Sequence, residues 1–435
     1  MNFKIEVALL VIMTAGICKA QNPIIQTKFT ADPAPMVYHD TVFLYTGHDE
    51  DDATGFKMLN WLLYTSTDMV NWTDHGPVAS LSNFSWAPKN GAWATQVIER
   101  NGKFYMYCPI HVKGIGVLVA DSPYGPFKDP IGKPLINQSV DDIDPTVFID
   151  DDGQAYLYWG NPNCWFVKLN EDMISYSGSI GKIEPRLPTY QEGPWFYKRN
   201  GLYYLAFAST CCPEGIGYAM SSGPTGPWTY KGSIMDGDKR SSGNHPGVID
   251  YKGSSYIFGF NYALNYALTD IHRERRSICL AKLSYNPDGT INKLPFWSPA
   301  GVDQVGTLNP YGRIVATTIS LESGIKTDKD STAGMYVTDI NNGDYIKVRG
   351  ADFGRGAKKF EANTATASGG GSIEIHLDNL NGALLGVCAI GNSGGWDKWV
   401  TQSCTLKKVK GIHDIYFVFK GADGLLFNFN WWKFK

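Results

Sequence analysis

Beyond its first twenty residues the sequence has no apolar run long enough to cross a bilayer, which takes about 20 predominantly apolar residues in a helix. No membrane span is expected. Charge of one sign is also lacking: 39 Lys and Arg stand against 42 Asp and Glu, a formal net charge of -3. That leaves no long-range field to recruit a nucleic acid or an anionic membrane as partner. Cysteine is sparse and unordered. Of eight, Cys18 lies in the first segment, and Cys108, Cys164, Cys211, Cys212, Cys279, Cys388 and Cys404 are scattered and odd in number. They form neither a disulfide framework nor a zinc-ligand spacing. Cys388 and Cys404 could pair; most of the others sit in apolar strand-like runs, as small buried hydrophobes do. Long helical periodicity is absent as well.

Aromatic residues are what the sequence has in quantity, at 13%, with 13 Trp and 24 Tyr. They suit β-sheet packing, and they suit sugar rings, whose C–H faces lie against aromatic faces. Composition leaves both readings open. Residues 1–20 have the form of a signal peptide: Lys4 before an apolar stretch from Val7 to Ile17, then Cys18-Lys19-Ala20 as a small-x-small cleavage site. Lipid anchoring at Cys18 would want a small residue before it, and Ile17 is not small. A soluble exported protein, acting as a monomer, is expected. A chain of 435 residues has length for two or three domains.

One pattern recurs along the first 300 residues: a polar or aromatic residue, an apolar strand, a tight turn, then an aromatic-rich strand. Its copies are DPAPMVYHDTVFLY from Asp32, WATQVIERNGKFYM from Trp93, DPTVFIDDDGQAYLY from Asp144, EGPWFYKRNGLYYL from Glu192 and HPGVIDYKGSSYIF from His245. Several turns are Asn-Gly or Asp-Gly, the pair that two-residue hairpins favour. A second strand pair follows each copy, so a unit holds about four short strands and repeats every 50 residues or so. Such repeats are propeller blades. The expected fold is all-β: a five-bladed β-propeller over residues 21–305, then a β-sandwich over 309–435.

A propeller lines its central channel with the innermost strand of each blade. The starts of those strands, Asp32, Trp93, Asp144, Glu192 and His245, should therefore meet at one end of the axis as equivalent positions. An acid beside Pro or Gly is ordinarily a turn former or cap. Three acids among five equivalent positions are different, because like charges around one axis repel and raise one another's pKa. Glycosidic bond cleavage uses such a set. A carboxylic acid protonates the leaving oxygen, a carboxylate activates water, and a third carboxylate keeps the acid protonated. Carboxylates on separate blades leave room for the water, which predicts inversion.

Three segments, ADPAP with Asp32, DIDPTVF with Asp144 and QEGPW with Glu192, resemble the signatures of glycoside hydrolase family 43, in that family's order and spacing over about residues 23–300. The resemblance implies Asp32 as general base, Glu192 as general acid and Asp144 as the group that tunes and holds Glu192. It implies that Arg276, in RRS, reaches the sugar in the first subsite, although Arg275 beside it leaves a one-residue ambiguity. His245, in GNHPG, matches an axial histidine beside a buried water or a metal such as calcium; a hydrogen-bonded core histidine reads equally well. Trp93 is a stacking wall or a core residue. No cofactor is required, and Ca²⁺ in the channel is the one candidate ion.

After residue 300 the pattern gives way to short alternating strands with many Gly and Asn, as in a sandwich. NNGDYIKV, ADFGRGAKKFEA, GGWDKW and HDIYFVFKG resemble carbohydrate-binding module family 6, a jelly roll. By that resemblance Tyr345 and Trp396 sandwich a sugar ring and Asn428 hydrogen-bonds it, whereas Trp399 is expected to pack in the core. The family's structural calcium is doubtful here, since Val315 and Thr317 stand where it has two glutamates, and Asn430 replaces an acidic partner.

The expected partner is a plant cell-wall polysaccharide, arabinoxylan or xylan. The segment DDGQAYLYWGNPNCWFVKLNEDMISYSG resembles family members that release α-L-arabinofuranose. A β-xylosidase, arabinanase or galactanase would use the same acids, and a non-catalytic glycan-binding protein is the reading from another class. A related five-bladed family cleaves fructosides, but its Asn-Asp-Pro-Asn, Arg-Asp-Pro and Glu-Cys segments are absent.

Overall fold

A computed structural model describes residues 21–241 and 243–435, so the signal-peptide reading of residues 1–20 lies outside the described residues. Strands dominate. The helices among the described residues are Ala263–Leu268 and a single 3-10 turn, Leu81–Asn83.

Five antiparallel sheets form the propeller. Their inner strands are Phe29–Tyr38, Gln96–Arg100, Thr146–Ile149, Tyr190–Arg199 and Gly247–Tyr251. Each of these contacts the next, and the fifth contacts the first, so the ring closes. Hairpins between the first two strands of a blade use the expected chemistry: Asn101-Gly102 and Asn200-Gly201 both have φ > 0 at both residues, which a type I′ turn requires. Side chains stitch neighbouring blades. Trp61 Nε1 donates to Trp93 O, Val147 N to Gln96 Oε1, Phe196 N to Thr146 Oγ1 and Trp195 Nε1 to Val248 O.

Blades 1, 3 and 4 each carry four strands of their own, but blades 2 and 5 have three, not the four the repeat suggested. In blade 2 the missing edge is supplied by isolated bridges, Ile115 with Ile136 and Val119 with Lys128. In blade 5 the N-terminal segment covers the outer strand Ser277–Leu283, with Ile24 N donating to Ile278 O and Leu280 N donating to Asn22 Oδ1. Both devices occupy backbone groups that an open sheet edge would leave unpaired. Between the blades the aromatics serve as packing: Trp61, Trp72, Trp159, Tyr45, Tyr64, Tyr107 and Tyr158 are among the largest fully buried side chains.

The C-terminal domain is two facing sheets with its own core, in which Phe360, Phe417, Phe429, Trp432 and Phe434 meet. It docks on blade 1, a contact the repeat pattern did not announce. The short strand Thr318–Ile319 pairs with Thr73 and Trp72 and so extends that blade's sheet. Beneath it Lys28 Nζ bonds Asp74 Oδ2 at 2.6 Å, and the Thr327 hydroxyl donates to the same oxygen at 2.7 Å.

Two cysteine expectations are corrected. Cys211 and Cys212, adjacent in the turn after the strand Leu202–Ser209, form a disulfide. Cys388 and Cys404 are free thiols, hydrogen-bonded to each other rather than joined. Trp399 is a third correction. It lies half-buried, edge-on to Tyr336 at 5.3 Å, outside the sandwich core, because the long strand Gly395–Thr405 is largely exposed.

Candidate active site

A local irregularity at the start of the inner strands aims the acids. In blade 1, Asp32 and Pro33 together face the single residue Thr46, and in blade 4, Gly193 and Pro194 together face Phe207. These are bulges, which bend a strand and redirect side chains. The first bulge residue is left-handed in both, at φ 52° for Asp32 and 56° for Gly193, and Asp144 before Pro145 adopts φ 56°. Aspartate tolerates that region better than most side chains.

The bulges also correct the register of the repeat. Asp32-Pro33, Ala94-Thr95, Asp144-Pro145, Gly193-Pro194 and His245-Pro246, one pair from each blade, line a single small cavity at the axis. Trp93 and Glu192 therefore come one residue before the equivalent position. The reason is steric. A Cβ on Gly193 would stand 2.7 Å from the His245 ring, so that position has no space for a side chain. Glu192 reaches in from one residue further out, and its side chain is 19% exposed against 4% for Asp32 and Asp144. Two acids thus sit on the floor and one nearer the mouth.

His245 is the hub. Its Nδ1 lies 3.4 Å from Asp32 Oδ1, and its Nε2 lies 3.4 Å from Glu192 Oε1 and 3.8 Å from Asp144 Oδ2. Asp32 and Glu192 face different nitrogens of one ring, so an imidazole stands between them. Arg276 closes the other side. Its Nη1 donates to Asp32 Oδ1 at 2.8 Å, while Nε, Nη2 and its backbone N–H all donate to Asp49. This separates the two arginines: Arg276 is buried and lines the pocket, whereas Arg275 lies over the Phe29 ring.

The charges follow. Burial raises Asp32 above its ordinary range, partly countered by Arg276 and His245. Burial also pushes Asp144 up to about 7. Burial works against a charge on His245, but Asp144, Asp32 and Glu192 outweigh it and push the ring up to about 10. For Glu192, burial raises the carboxyl, yet the hydrogen bond and charge of His245, helped by Asn161, bring it below its ordinary range. That is the reverse of the protonated acid the sequence suggested, and the cause is the imidazolium at its side.

Above this cluster is a cavity of about 320 Å³, at the small end of ligand pockets (about 300–1,000 Å³). Trp93 and the exposed Phe56 form one wall, their rings 6.0 Å apart, and Trp93 stacks on His111 behind. Asn161, Gln191, Glu214 and Glu274 also line it and were missed in the sequence, as was Asp49. None lies at the start of an inner strand except Gln191, beside Glu192; only the resulting fold brings them to the axis.

Asp144, Glu192 and His245 offer ligand atoms within 4.8 Å of one another. Calcium prefers hard oxygen ligands, and Asp144 and Glu192 would offer it two carboxylates beside the His245 ring.

In the sandwich the three sugar-site candidates lie beside loops of one end. Asn428 Nδ2 donates to Trp396 O at 3.0 Å, and Trp396 is 39% exposed. Tyr345 follows the loop whose Gly343 N–H donates to Phe419 O, and its ring lies 6.0 Å from that of Tyr416. The three positions that depart from the calcium pattern have other work. Val315 is exposed, Thr317 Oγ1 donates to Asp74 O across the domain contact, and Asn430 Nδ2 donates to the carbonyls of Ala333 and Met335. An amide donor stands where a cation would need acceptors.

Comparison with known proteins agrees with this architecture. The family model "Glycosyl hydrolases family 43" matches residues 20–291, and "Carbohydrate binding module (family 6)" matches 315–435. An arabinoxylan arabinofuranohydrolase of Bacillus subtilis is 35% identical, covering 95% of this chain and 92% of its own. One of the same name from Paenibacillus polymyxa is 34% identical over 95% of this chain and 74% of its own. The crystal structure of a family 43 arabinoxylan arabinofuranohydrolase from Bacillus subtilis, in complex with cellotetraose, superposes with a TM-score of 0.87 at 34% identity, covering 96% of this chain and 98% of that one. With three axial carboxylates on a five-bladed propeller and a family match over most of that propeller, this chain belongs to glycosyl hydrolase family 43.

Proposed function

We propose that the protein is an exported exo-acting hydrolase that removes α-L-arabinofuranosyl units from arabinoxylan with inversion, and that its sandwich holds the polysaccharide. Export rests on the composition of residues 1–20. One observation carries the substrate reading: similarity to two arabinoxylan arabinofuranohydrolases extends across both domains, over 95% of the chain. A pocket of about 320 Å³ suits one sugar unit rather than a threaded polymer.

In this reading Asp32 takes a proton from a water that attacks the anomeric carbon. Its bond from Arg276 and its ion contact with His245 keep the carboxylate oriented. Glu192, nearer the mouth, faces the leaving oxygen. It needs a proton at that moment, and His245 Nε2 holds one 3.4 Å away. As the bond to the leaving group breaks, Glu192 gives a proton to that oxygen. Asp144, beneath, accepts the Gly193 N–H at 3.2 Å and so fixes the backbone that carries Glu192. Protein groups and water suffice for these steps, and no cofactor enters. In the sandwich, Tyr345 and Trp396 stack on a sugar ring while Asn428 bonds it.

Two measurements on one sample test this. Aryl α-L-arabinofuranoside should be cleaved and aryl β-D-xyloside should not; the opposite preference overturns the substrate. Proton NMR of the first-formed sugar should show the inverted anomer. Retention would remove water activation by Asp32 and imply a covalent intermediate.

A further inference from the structure

The pocket contains a carboxylate that the three-acid mechanism does not use. Glu214 is 2% exposed and lines the cavity together with Asp32, Asp144 and Glu192. It follows the Cys211–Cys212 turn and immediately precedes the strand Gly215–Ser221, in the middle of blade 4. That turn is pinned from outside. A Cβ on Gly237 would stand 2.5 Å from Pro213 O, so the two backbones touch. The backbone N–H of Asn244 donates to the carboxyl. Its Oε2, however, is buried and has no hydrogen-bond partner among the described residues.

Buried oxygens are rarely left so, because an unmade hydrogen bond there forfeits the full desolvation of the group. Such an exception calls for a partner that arrives later. An ideal Cβ on Gly243, which has φ 75°, would stand 3.3 Å from Glu214 Oε2 and 3.6 Å from Glu192 Oε1, so the two carboxyls lie against the same side-chain-free face of Gly243. Both line the one cavity, and a sugar unit seated against Glu192 lies within reach of Glu214.

We propose that Glu214 Oε2 receives a hydroxyl of the sugar being released, and thereby selects for a sugar that carries a hydroxyl at that position. The ligand class is a neutral pentosyl unit, and the inference deepens the functional reading above rather than replacing it. Charge supports it. Burial, with Glu192 second, pushes Glu214 up to about 8, so at neutral pH it is a neutral carboxyl able to donate as well as accept. A neutral group can border Glu192 without repelling it, and it matches the hydroxyl of a sugar, which also does both. A site built around a substrate hydroxyl discriminates strongly against the analogue that lacks it, because the protein's own buried group is then left unpaired. Glu214 touches substrate in this scheme but transfers no proton, so its loss should weaken selectivity without abolishing turnover.

The test is a cycle of variants against monodeoxy substrates, using the full-length protein. The probes are 4-nitrophenyl α-L-arabinofuranoside and its 2-deoxy, 3-deoxy and 5-deoxy analogues, with kcat/KM measured for wild type, Glu214→Ala and Glu214→Gln. Wild type should lose about 10- to 100-fold on one particular analogue, in keeping with a hydrogen bond to a carboxyl. In Glu214→Ala that one penalty should shrink to within about threefold, while the penalties on the other two analogues persist. Unchanged penalties at all three positions would overturn the proposal and reduce Glu214 to a structural group. Glu214→Gln keeps the volume and covers the case in which the alanine variant does not fold. It should change the penalty at the same single hydroxyl, and a uniform change at all three would overturn the proposal equally. Failure of the substrate reading shows separately. If wild type cleaves the β-D-xyloside instead, the same cycle runs on deoxy-xylosides with the same two outcomes.

Discussion

The two domains handle buried charge in opposite ways. The propeller brings Asp32, Asp144, Glu192, Glu214, His245 and Arg276 around one axis, most of them beyond the reach of solvent. The sandwich has a core of Phe, Ile, Val and Trp, and its candidate sugar contacts sit beside loops at one end. Five blades present five strand starts to a common point, so a repeat unit becomes a ring of functional groups. Two facing sheets have no such point. Their inner faces must interdigitate apolar side chains, which leaves binding to the rim. Chemistry that needs dry, mutually perturbed acids belongs to the first geometry, and capture of an exposed polymer to the second.

The largest effect expected from this division is on the acids. Asp32→Asn should cost about 10²–10⁴ in kcat on every substrate, because water activation is always required. Glu192→Gln should cost that much on polysaccharide and far less on an aryl glycoside whose leaving group needs no proton. Equal losses on both would take the acid role away from Glu192.

Next is the division of labour itself. Trp396→Ala should weaken retention on insoluble xylan by about 2 kcal/mol, near thirtyfold, if this ring is a binding hot spot. Turnover of a soluble aryl arabinoside should stay at the wild-type value. A matching fall in that turnover would mean the two domains do not work separately.

The domain contact offers a third test. Asp74 accepts from Lys28 and Thr327 beneath the strand pairing, and little solvent reaches it. Asp74→Ala leaves the Lys28 ammonium with the Thr327 hydroxyl but no carboxylate and should cost about 3 kcal/mol in urea denaturation. A cost near zero would mean the docking is carried by Thr318–Ile319 alone.

The smallest expected effect is a difference in the sign of pH dependence. Asp144, at about 7, and Glu214, at about 8, both lie above their unfolded values near 4, and His245, at about 10, lies above 6.5. Between unfolded and folded values the native propeller holds more protons than the unfolded chain, so these groups subtract stability as pH rises from about 4 to 10. Unlike Glu322, which burial pushes up to about 7 as in the propeller, Glu361 in the sandwich goes the other way. The Lys435 hydrogen bond leads in bringing it down to about 2, with Lys359 and Lys433 assisting. Its contribution is present above 4.5 and is lost as pH falls from there toward 2. Urea unfolding followed across pH 3–9 should show the propeller transition weakening toward the alkaline side, and the sandwich transition weakening below about pH 4.5 as Glu361 protonates. Parallel trends would overturn the contrast.

Much of this was legible beforehand. The Asp-Pro, Glu-Gly-Pro and His-Pro strand starts identified the blades, because a repeat of local signals needs no long-range information. Asn101-Gly102 and Asn200-Gly201 announced hairpins by their own backbone preferences. Blade 2, by contrast, looked like four strands, since a sequence pattern cannot distinguish a full edge strand from isolated bridges such as Ile115 with Ile136. Trp399 was expected in the core, yet its strand turned out to be largely exposed.

The sequence by itself determined the strand count per repeat to within one, the two-domain order, and the three axial acids, since each depends on residues a few positions apart. Tertiary structure alone decided that Glu192 stands one residue above the ring of Asp32 and Asp144. It also decided that Arg276 rather than Arg275 turns inward, that Asp49 holds it there, and that Asn161 and Glu214 join the pocket. Those outcomes depend on space and charge contributed by distant segments. The His245 ring on Gly193 leaves no place for a Cβ, and Asp49, 227 positions away, holds Arg276 by three hydrogen bonds, two from its guanidinium and one from its backbone N–H. No local preference encodes either contact.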